Sequence, residues 1–443
     1  MKKKKKNHNR ILHAALALLI SIPASAQTLE ECIARGLENN YQMHLVRNEE
    51  QIAHNNATWA NAGALPEVDA SVAYRPTLTN FDRTKSRATG ETTTQYGAFD
   101  NSVSAGVTLN WTIFDGFKIQ TTHQQLLLLE KQSETSTRMA IEDLVADIAA
   151  EYYNCVQQIT RRNNYRYTME LSRERLRIAE LNYQTGRFSG LDYQLARSDF
   201  HNDSSAFVRQ NEAVLKSQIR LNQLMANPNL EQPLAIADTA IIVRTDLQQA
   251  ALWERALAAN SSLLYAKQNA QIAELDYKKI LSRNYPYLKL SSQYGYDASF
   301  YSKNSIQRRS DLALSGGLTL GFNIFDGNKK RERKNAQLTI RNRQLQLDQL
   351  QLDLQAELAT CYQTYRTNIN LLALQQENLK IAQRNYQSAL ERYKLGDLSG
   401  LDLRQVQSSL IDAEERVLQA EYDAKMCEIS LLLISGDITE YVG

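Results

Sequence analysis

The chain has 443 residues with 51 Lys and Arg against 49 Asp and Glu, and six of those cations fall within the first ten positions. Without them the balance is 45 to 49, a net of −4, which argues against nucleic acid as a partner. Only 17 glycines and 6 prolines are present, as in chains built of long helices, and four cysteines with no CxxC spacing exclude a disulfide-dense framework.

Lys2 to Lys6 and Arg10 precede an apolar run from Ile11 to Ile22 and the small-residue site Ala24-Ser25-Ala26. This is the pattern of an export signal over residues 1–26, cleaved before Gln27. The apolar run is too short for a retained spanning helix, which needs roughly 20 residues. Cys32 lies too far past the cleavage site to accept a lipid. Cys32, Cys155, Cys361 and Cys427 all sit in helical patterns, where a small buried side chain is the default reading and no bridge is indicated.

After the signal, a helical stretch is expected over Leu29–Asn61 and a strand near 66–74, followed by a polar loop from Arg75 to Asn101. A second strand follows near 103–114. There Val103, Ala105, Val107, Leu109, Trp111 and Ile113 alternate with Ser102, Ser104, Gly106, Thr108, Asn110 and Thr112. Phe117 to Gln184 contains neither proline nor glycine, so a helix about 100 Å long is expected, with a turn at 185–192 and a return helix from Asp192 to Ala226. Asn-Pro-Asn and Gln-Pro within 227–233 mark the start of an irregular junction, residues 227–250.

The same order then recurs. Helix Leu252–Arg283 leads to strands near 286–296 and 312–325 around a polar loop Asp297–Ser310. A second uninterrupted helix, Lys329–Leu395, is followed by a turn at 395–402 and a return helix Asp402–Ser435. Three phrases repeat: LPEV at Leu65 with YPYL at Tyr285, NWTIFDG ending at Gly116 with GFNIFDG ending at Gly327, and YQTGRFSGLDYQL from Tyr183 with YKLGDLSGLDLRQ from Tyr393. Their offsets of 220, 211 and 210 residues indicate one duplicated unit, covering 27–226 and 251–443. Leu372, Leu379, Ala382, Tyr386, Ala389 and Tyr393, with Gln375 the polar exception, keep a packed seam's spacing, echoed by Met169, Ser172, Leu176, Ala179 and Tyr183. Such narrow stripes suit helices packed side by side rather than a thick core.

Strict alternation over about ten residues is the signature of a strand with one face to lipid and one to water. A soluble sandwich is the usual alternative, but the chain offers no second sheet to cover these strands. Four strands cannot close a barrel, which needs about eight, so several copies must contribute. The expected fold is therefore mainly α with a membrane β-barrel portion. Trp111, Phe114, Phe117, Phe322 and Phe325 gather where strand meets helix and read as an aromatic girdle at the membrane interface.

The repeated G-x-x-S-x-x-D has a local mechanism. Gly186 and Gly396 end the long helices in a left-handed conformation, and Ser189 with Asp192 and Ser399 with Asp402 cap the return helices. Both tips lie far from the strands, at a rim suited to docking and gating. Arg187 and Asp397 hold matching positions with opposite charge. Asp402 is either a cap alone or, repeated around an axis, an acidic ring that favours cations. No G-x-x-x-x-G-K, G-x-S-x-G or H-E-x-x-H occurs, and His44, His54, His123 and His201 are scattered along helices, so no enzyme, metal site or cofactor is expected.

The duplicated layout, the opening TLEECIARGLENNYQM with its echo WERALAANSSLL, the LPEV before the first strand and the paired tips together resemble the TolC family of outer-membrane efflux proteins. The resemblance implies a homotrimer whose four strands per copy close a twelve-stranded barrel in outer-membrane lipid, above a periplasmic tunnel of helices. It further implies a periplasmic adaptor and an inner-membrane transporter of the RND or ABC type that open the tip, making the chain a passive exit duct for efflux or type I secretion. Where some members carry a second acidic ring or a locking arginine, this chain has Gln405 and Leu398, which leaves any latch to other residues such as Arg187 or Arg404. A periplasmic coiled-coil scaffold is the rival reading; it accounts for the helices but not for the strands. Drugs, metal ions and polypeptides all remain open as cargo.

Overall fold

A computed structural model describes residues 26–187, 189–303 and 306–442. The proposed export signal therefore lies almost wholly outside the described residues. Two helices dominate: α3, Lys118–Gln184, and α7, Gly327–Leu395, of 67 and 69 residues. Each spans about 100 Å. The return helices α4 (Gly190–Leu224) and α8 (Gly400–Ser435) run back along them for about half that length.

The remaining helical stretches are each broken in two. Leu29–Asn61 resolves into α1 (Leu29–Asn39) and α2 (Tyr41–Asn56), and Leu252–Arg283 into α5 (Gln249–Ala259) and α6 (Ser261–Ser282). An extended asparagine causes each break. Asn40 Oδ1 accepts from Gln42 N–H at 2.8 Å while its amide donates to Leu224 O at 2.9 Å. Asn260 Oδ1 accepts from Leu263 N–H at 3.0 Å while its amide donates to Ile434 O at 3.0 Å. Each asparagine thus starts one helix and receives the carbonyl end of a return helix, setting half-length helices end to end. Asn260→Ala removes a cap and orphans a buried carbonyl; a loss of about 2 kcal/mol is expected in denaturant unfolding followed by circular dichroism.

The strands β1 (Glu67–Lys85), β2 (Thr92–Asp115), β3 (Tyr287–Phe300) and β4 (Arg308–Gly321) form one antiparallel sheet in sequential order. Its register lines up the apolar residues across all four strands: Val72, Ala105, Tyr296 and Leu312 in one row, Ala70, Val107, Tyr294 and Leu314 in the next. The opposite face carries rows such as Asp69, Thr108, Gln293 and Ser315. The apolar face is uncovered, with Val72 79 % and Leu314 75 % exposed. A two-faced sheet with a bare apolar side and two open edges is incomplete in water.

Three expectations need correction here. The stretch Arg75–Asn101 is not a long loop: β1 and β2 continue pairing to Lys85 and Thr92, leaving a turn at 86–91. Its threonines favour extended backbone, and polar side chains on both faces hid the strand from an alternation test. Likewise β3 and β4 pair up to Phe300 and Arg308, within the expected loop Asp297–Ser310. At its other end β4 stops at Gly321, so Phe322 and Phe325 lie beyond the strand.

A thick core also exists, contrary to the stripe-only expectation. At mid-height Ile33, Met43, Ile148, Tyr152, Leu221 and Leu432 are buried together where α1, α2, α3, α4 and α8 meet the 227–250 junction. Toward the tips, Tyr386, Ala389 and Tyr393 pack against Leu403 and Leu410 of α8 as a narrow seam. Tyr183 departs from it, being 48 % exposed and stacked on Tyr193.

Candidate functional site at the helical tips and the strand–helix junction

At the first tip Gly186 has φ +71°, and the Arg187 N–H donates back to Asn182 O at 2.8 Å. Ser189 Oγ accepts from Asp192 N–H at 3.2 Å and Asp192 Oδ2 accepts from Ser189 N–H at 3.1 Å, a complete capping box. At the second tip Gly396 has φ +87°, and the Asp397 N–H donates to Arg392 O at 2.9 Å. Ser399 Oγ accepts from Asp402 N–H at 3.1 Å and its hydroxyl donates to Asp402 Oδ2 at 2.7 Å. Among the described residues the bond from Ser399 N–H to Asp402 is absent, so this cap is only half of a box.

Asp192, Gly396, Asp397 and Ser399 line a common cleft of about 540 Å³ between the two tips. Gly186, Arg187, Ser189 and Asp402 lie outside its walls. Asp402 is exposed, its carboxylate engaged by Ser399. Within the chain, no ion pair joins Arg187 to Asp397 among the described residues.

The inner wall of the cleft carries a charged cluster that ties the hairpins together. Arg404 on α8 grips Asp203 on α4 through both terminal nitrogens, at 2.7 and 2.9 Å. Asp203 also receives the Ser172 hydroxyl, and Arg175 on α3 pairs with Asp199 on α4. Gln407 Nε2 reaches Ser172 Oγ at 3.4 Å, closing the ring across α3, α4 and α8. Burial pulls the Arg404 pKa down, but the hydrogen bond and charge of Asp203, with Asp199, outweigh it and the net shift is upward. Arg175 shifts downward, chiefly because it is buried, and among the described residues its Nε has no hydrogen-bond partner. The sequence held a signal for this cluster: Arg175 falls between Ser172 and Ala179 on the seam, and Gln407 between Leu403 and Leu410. A charge inside an apolar stripe asks for a partner across it.

At the other end, the shared IFDG phrase adopts two different conformations. In the first half β2 carries a bulge between Thr112 and Phe114, then Gly116 and Phe117 both take φ +70° before α3. Asp115 Oδ1 accepts from Ile119 N–H at 3.0 Å. In the second half Asp326 caps α7 directly, accepting from Asn328 N–H at 2.9 Å, and Gly327 is the first helical residue. Of the expected girdle, Phe114 and Phe117 meet edge to face, with Tyr285 joining them. Trp111 instead donates its ring N–H to Ala64 O at 2.8 Å. Phe322 and Phe325 stand apart, 57 % and 86 % exposed. Among the described residues no helix is long and apolar enough to cross a membrane.

The outer membrane efflux protein family model matches residues 33–227 and 252–437, one segment for each internal repeat. No curated protein matches the chain in sequence. Among solved structures, the CmeC outer membrane channel of Campylobacter jejuni is similar with a TM-score of 0.76 and 16 % identity, over 92 % of this chain and 85 % of that one. The outer membrane protein VceC of Vibrio cholerae matches with a TM-score of 0.71 and 15 % identity, over 92 % and 96 % of the two chains. The open state of the Neisseria gonorrhoeae MtrE outer membrane channel matches with a TM-score of 0.65 and 14 % identity, over 93 % and 89 %. These likenesses share the fold of long paired helices beneath a four-stranded sheet, and the family match spans both halves. The chain belongs to the outer membrane efflux protein family.

Proposed function

We propose that three copies of this chain close a twelve-stranded barrel in the outer membrane and continue it as a helical tunnel through the periplasm. The complex is then the passive exit duct of a tripartite efflux or type I secretion system. One observation carries this reading: a four-stranded sheet with a bare apolar face, a polar opposite face and open edges, set at one end of helices about 100 Å long. Neighbouring copies supply the missing strands at β1 and β4, lipid covers the apolar rows, and the polar rows line the pore. The repeats 27–226 and 251–443 each contribute one strand hairpin and one helical hairpin, with 227–250 joining them at mid-height. Trp111, Phe114, Phe117, Phe322 and Phe325 mark the inner membrane-facing rim.

The tips are the gate. An adaptor and an inner-membrane transporter dock around Gly186, Arg187, Ser189 and Asp192 and around Gly396, Asp397, Ser399 and Asp402. Opening separates the α7–α8 hairpin from α3–α4. Arg404 with Asp203 is the latch within each copy, half-buried and bidentate, contributing about 1.5–3 kcal/mol to closure. Three Asp402 carboxylates at the narrowest point favour cations.

The tip test uses Gly186→Val with Gly396→Val. Among the described residues nothing crowds either site, so the damage comes from the backbone: a β-branched residue at φ near +80° costs about 1–2 kcal/mol per site. Export by cells should fall at least several-fold while the heat-resistant trimer persists on gels. Loss of the trimer would instead make the tips folding elements without a gating role.

A further inference from the structure

The four cysteines divide into two kinds. Cys32 and Cys155 are fully buried in the mid-height core, where burial holds both thiols well above their usual range. Cys361 on α7 and Cys427 on α8 are only half-buried and face each other. Cys361 lies 35 residues before Gly396 and Cys427 lies 31 residues after it, so folding back at the tip brings them level, roughly 50 Å above the turn. Cys361 Sγ approaches the Cys427 carbonyl oxygen to 3.6 Å, and the Asn368 amide donates to Cys427 Sγ at 3.6 Å. Leu358, Tyr365 and Leu431 pack around the pair and hold the two helices in register.

We propose that Cys361 and Cys427 are an oxidisable pair that forms an intramolecular disulfide joining α7 to α8. The physiological half of this proposal rests on the periplasmic placement of the helices, an oxidising compartment. The oxidant is a disulfide-bearing thiol oxidase, for which oxidised glutathione substitutes in vitro. Cys427 is the attacking thiolate: the neighbouring Cys361 thiol holds its pKa below the usual range against the opposing effect of burial, and the Asn368 amide donating to its sulfur assists. It attacks one sulfur of the oxidant, forming a mixed disulfide and expelling the oxidant's other sulfur as a thiolate. Cys361 then gives up its proton and attacks Cys427 Sγ, expelling the second thiolate. The sum is two protein thiols oxidised, one disulfide reduced to two thiols, and no net change in atoms.

The bond closes a loop through the whole tip hairpin. It fixes the root of the α7–α8 lever while leaving the lower part free to swing. Opening is thereby confined to the segment that carries the latch, and the seam above it stays sealed.

The test uses the purified full-length protein in detergent, exposed to oxidised glutathione, alkylated under native conditions and mapped by mass spectrometry. Expected is one intramolecular Cys361–Cys427 cross-link with no retained glutathione, Cys32 and Cys155 staying reduced. The thermal midpoint should rise by several degrees, a rise absent from Cys361→Ser. A glutathione adduct persisting on Cys427 beside a free Cys361, or two unreacted thiols, would overturn the proposal. A second arm quenches intact cells with acid before alkylation, and the cross-link is expected there too. Cross-linking in vitro but reduced thiols in cells would overturn the periplasmic placement rather than the geometry of the pair.

Discussion

Lys425→Met is expected to lower folding stability by about 3–5 kcal/mol, the cost of stranding a buried partner charge. Lys425 and Glu428 pair at 2.8 Å with side chains 5 % and 0 % exposed. The ammonium also donates to Ile242 O at 2.9 Å and sits over the rings of Tyr153 and Tyr441. Glu428 accepts from Arg244 N–H at 2.9 Å and from the Tyr441 hydroxyl at 2.8 Å. This pair therefore fastens the 227–250 junction and the C-terminal turn to α8. Removing the lysine leaves the carboxylate with neutral donors and a guanidinium edge 4.0 Å away. Adding Glu428→Gln discharges the site but keeps an acceptor, so the double variant should regain part of the loss. Denaturant unfolding followed by circular dichroism checks both; a single-variant loss under about 1 kcal/mol would mean that the pair is already solvated.

The second large effect is expected at Gly116. A Cβ there meets Ser282 O at 2.3 Å and Tyr285 Cβ at 2.8 Å, on a backbone with φ +70°. The clash is with a main-chain oxygen and a Cβ, neither of which can rotate away. Gly116→Ala should cost about 3–5 kcal/mol, of which 1–2 is the left-handed conformation and the rest displaced backbone. Gly327 is the built-in control, since it has an ordinary φ and only Phe325 Cζ within 4.0 Å. Gly327→Ala should change stability by no more than about 0.5 kcal/mol. Equal effects at the two glycines, read from unfolding curves and from the yield of assembled protein, would contradict the asymmetry of the junctions.

That asymmetry marks where sequence reading stops. Both phrases read IFDG, and nothing in the letters distinguishes them; the difference comes from the α6–β3 link pressing on Gly116. The long helices were legible because 67 and 69 residues without an internal glycine or proline leave the backbone no reason to turn. The strand cores were legible through alternation, but their outer halves were not, because threonines on both faces carry no period. Asn40 and Asn260 do not read as helix breaks in the sequence, since asparagine is tolerated inside helices and their partners lie 184 and 174 residues away. The tip caps were visible as local spacing. The cluster of Arg175, Asp199, Asp203 and Arg404 is visible only in part: Arg175 stands out inside an apolar stripe, but its partners depend on how two hairpins lie side by side. Cys361 and Cys427 share that property: their pairing needs the fold, although their similar distances from Gly396, 35 and 31 residues, hint at it.

The central claim is that amphipathic sheets from several copies seal a pore in lipid whose far end is shut by the tips. Planar-bilayer recording on the purified wild-type protein and on Arg404→Ala tests it most directly. Discrete conductance steps are expected from both, those of the wild type small and those of Arg404→Ala several-fold larger, because the variant loses its grip on Asp203. Silence from both proteins at any voltage, with the sample running as a water-soluble monomer, would contradict the account.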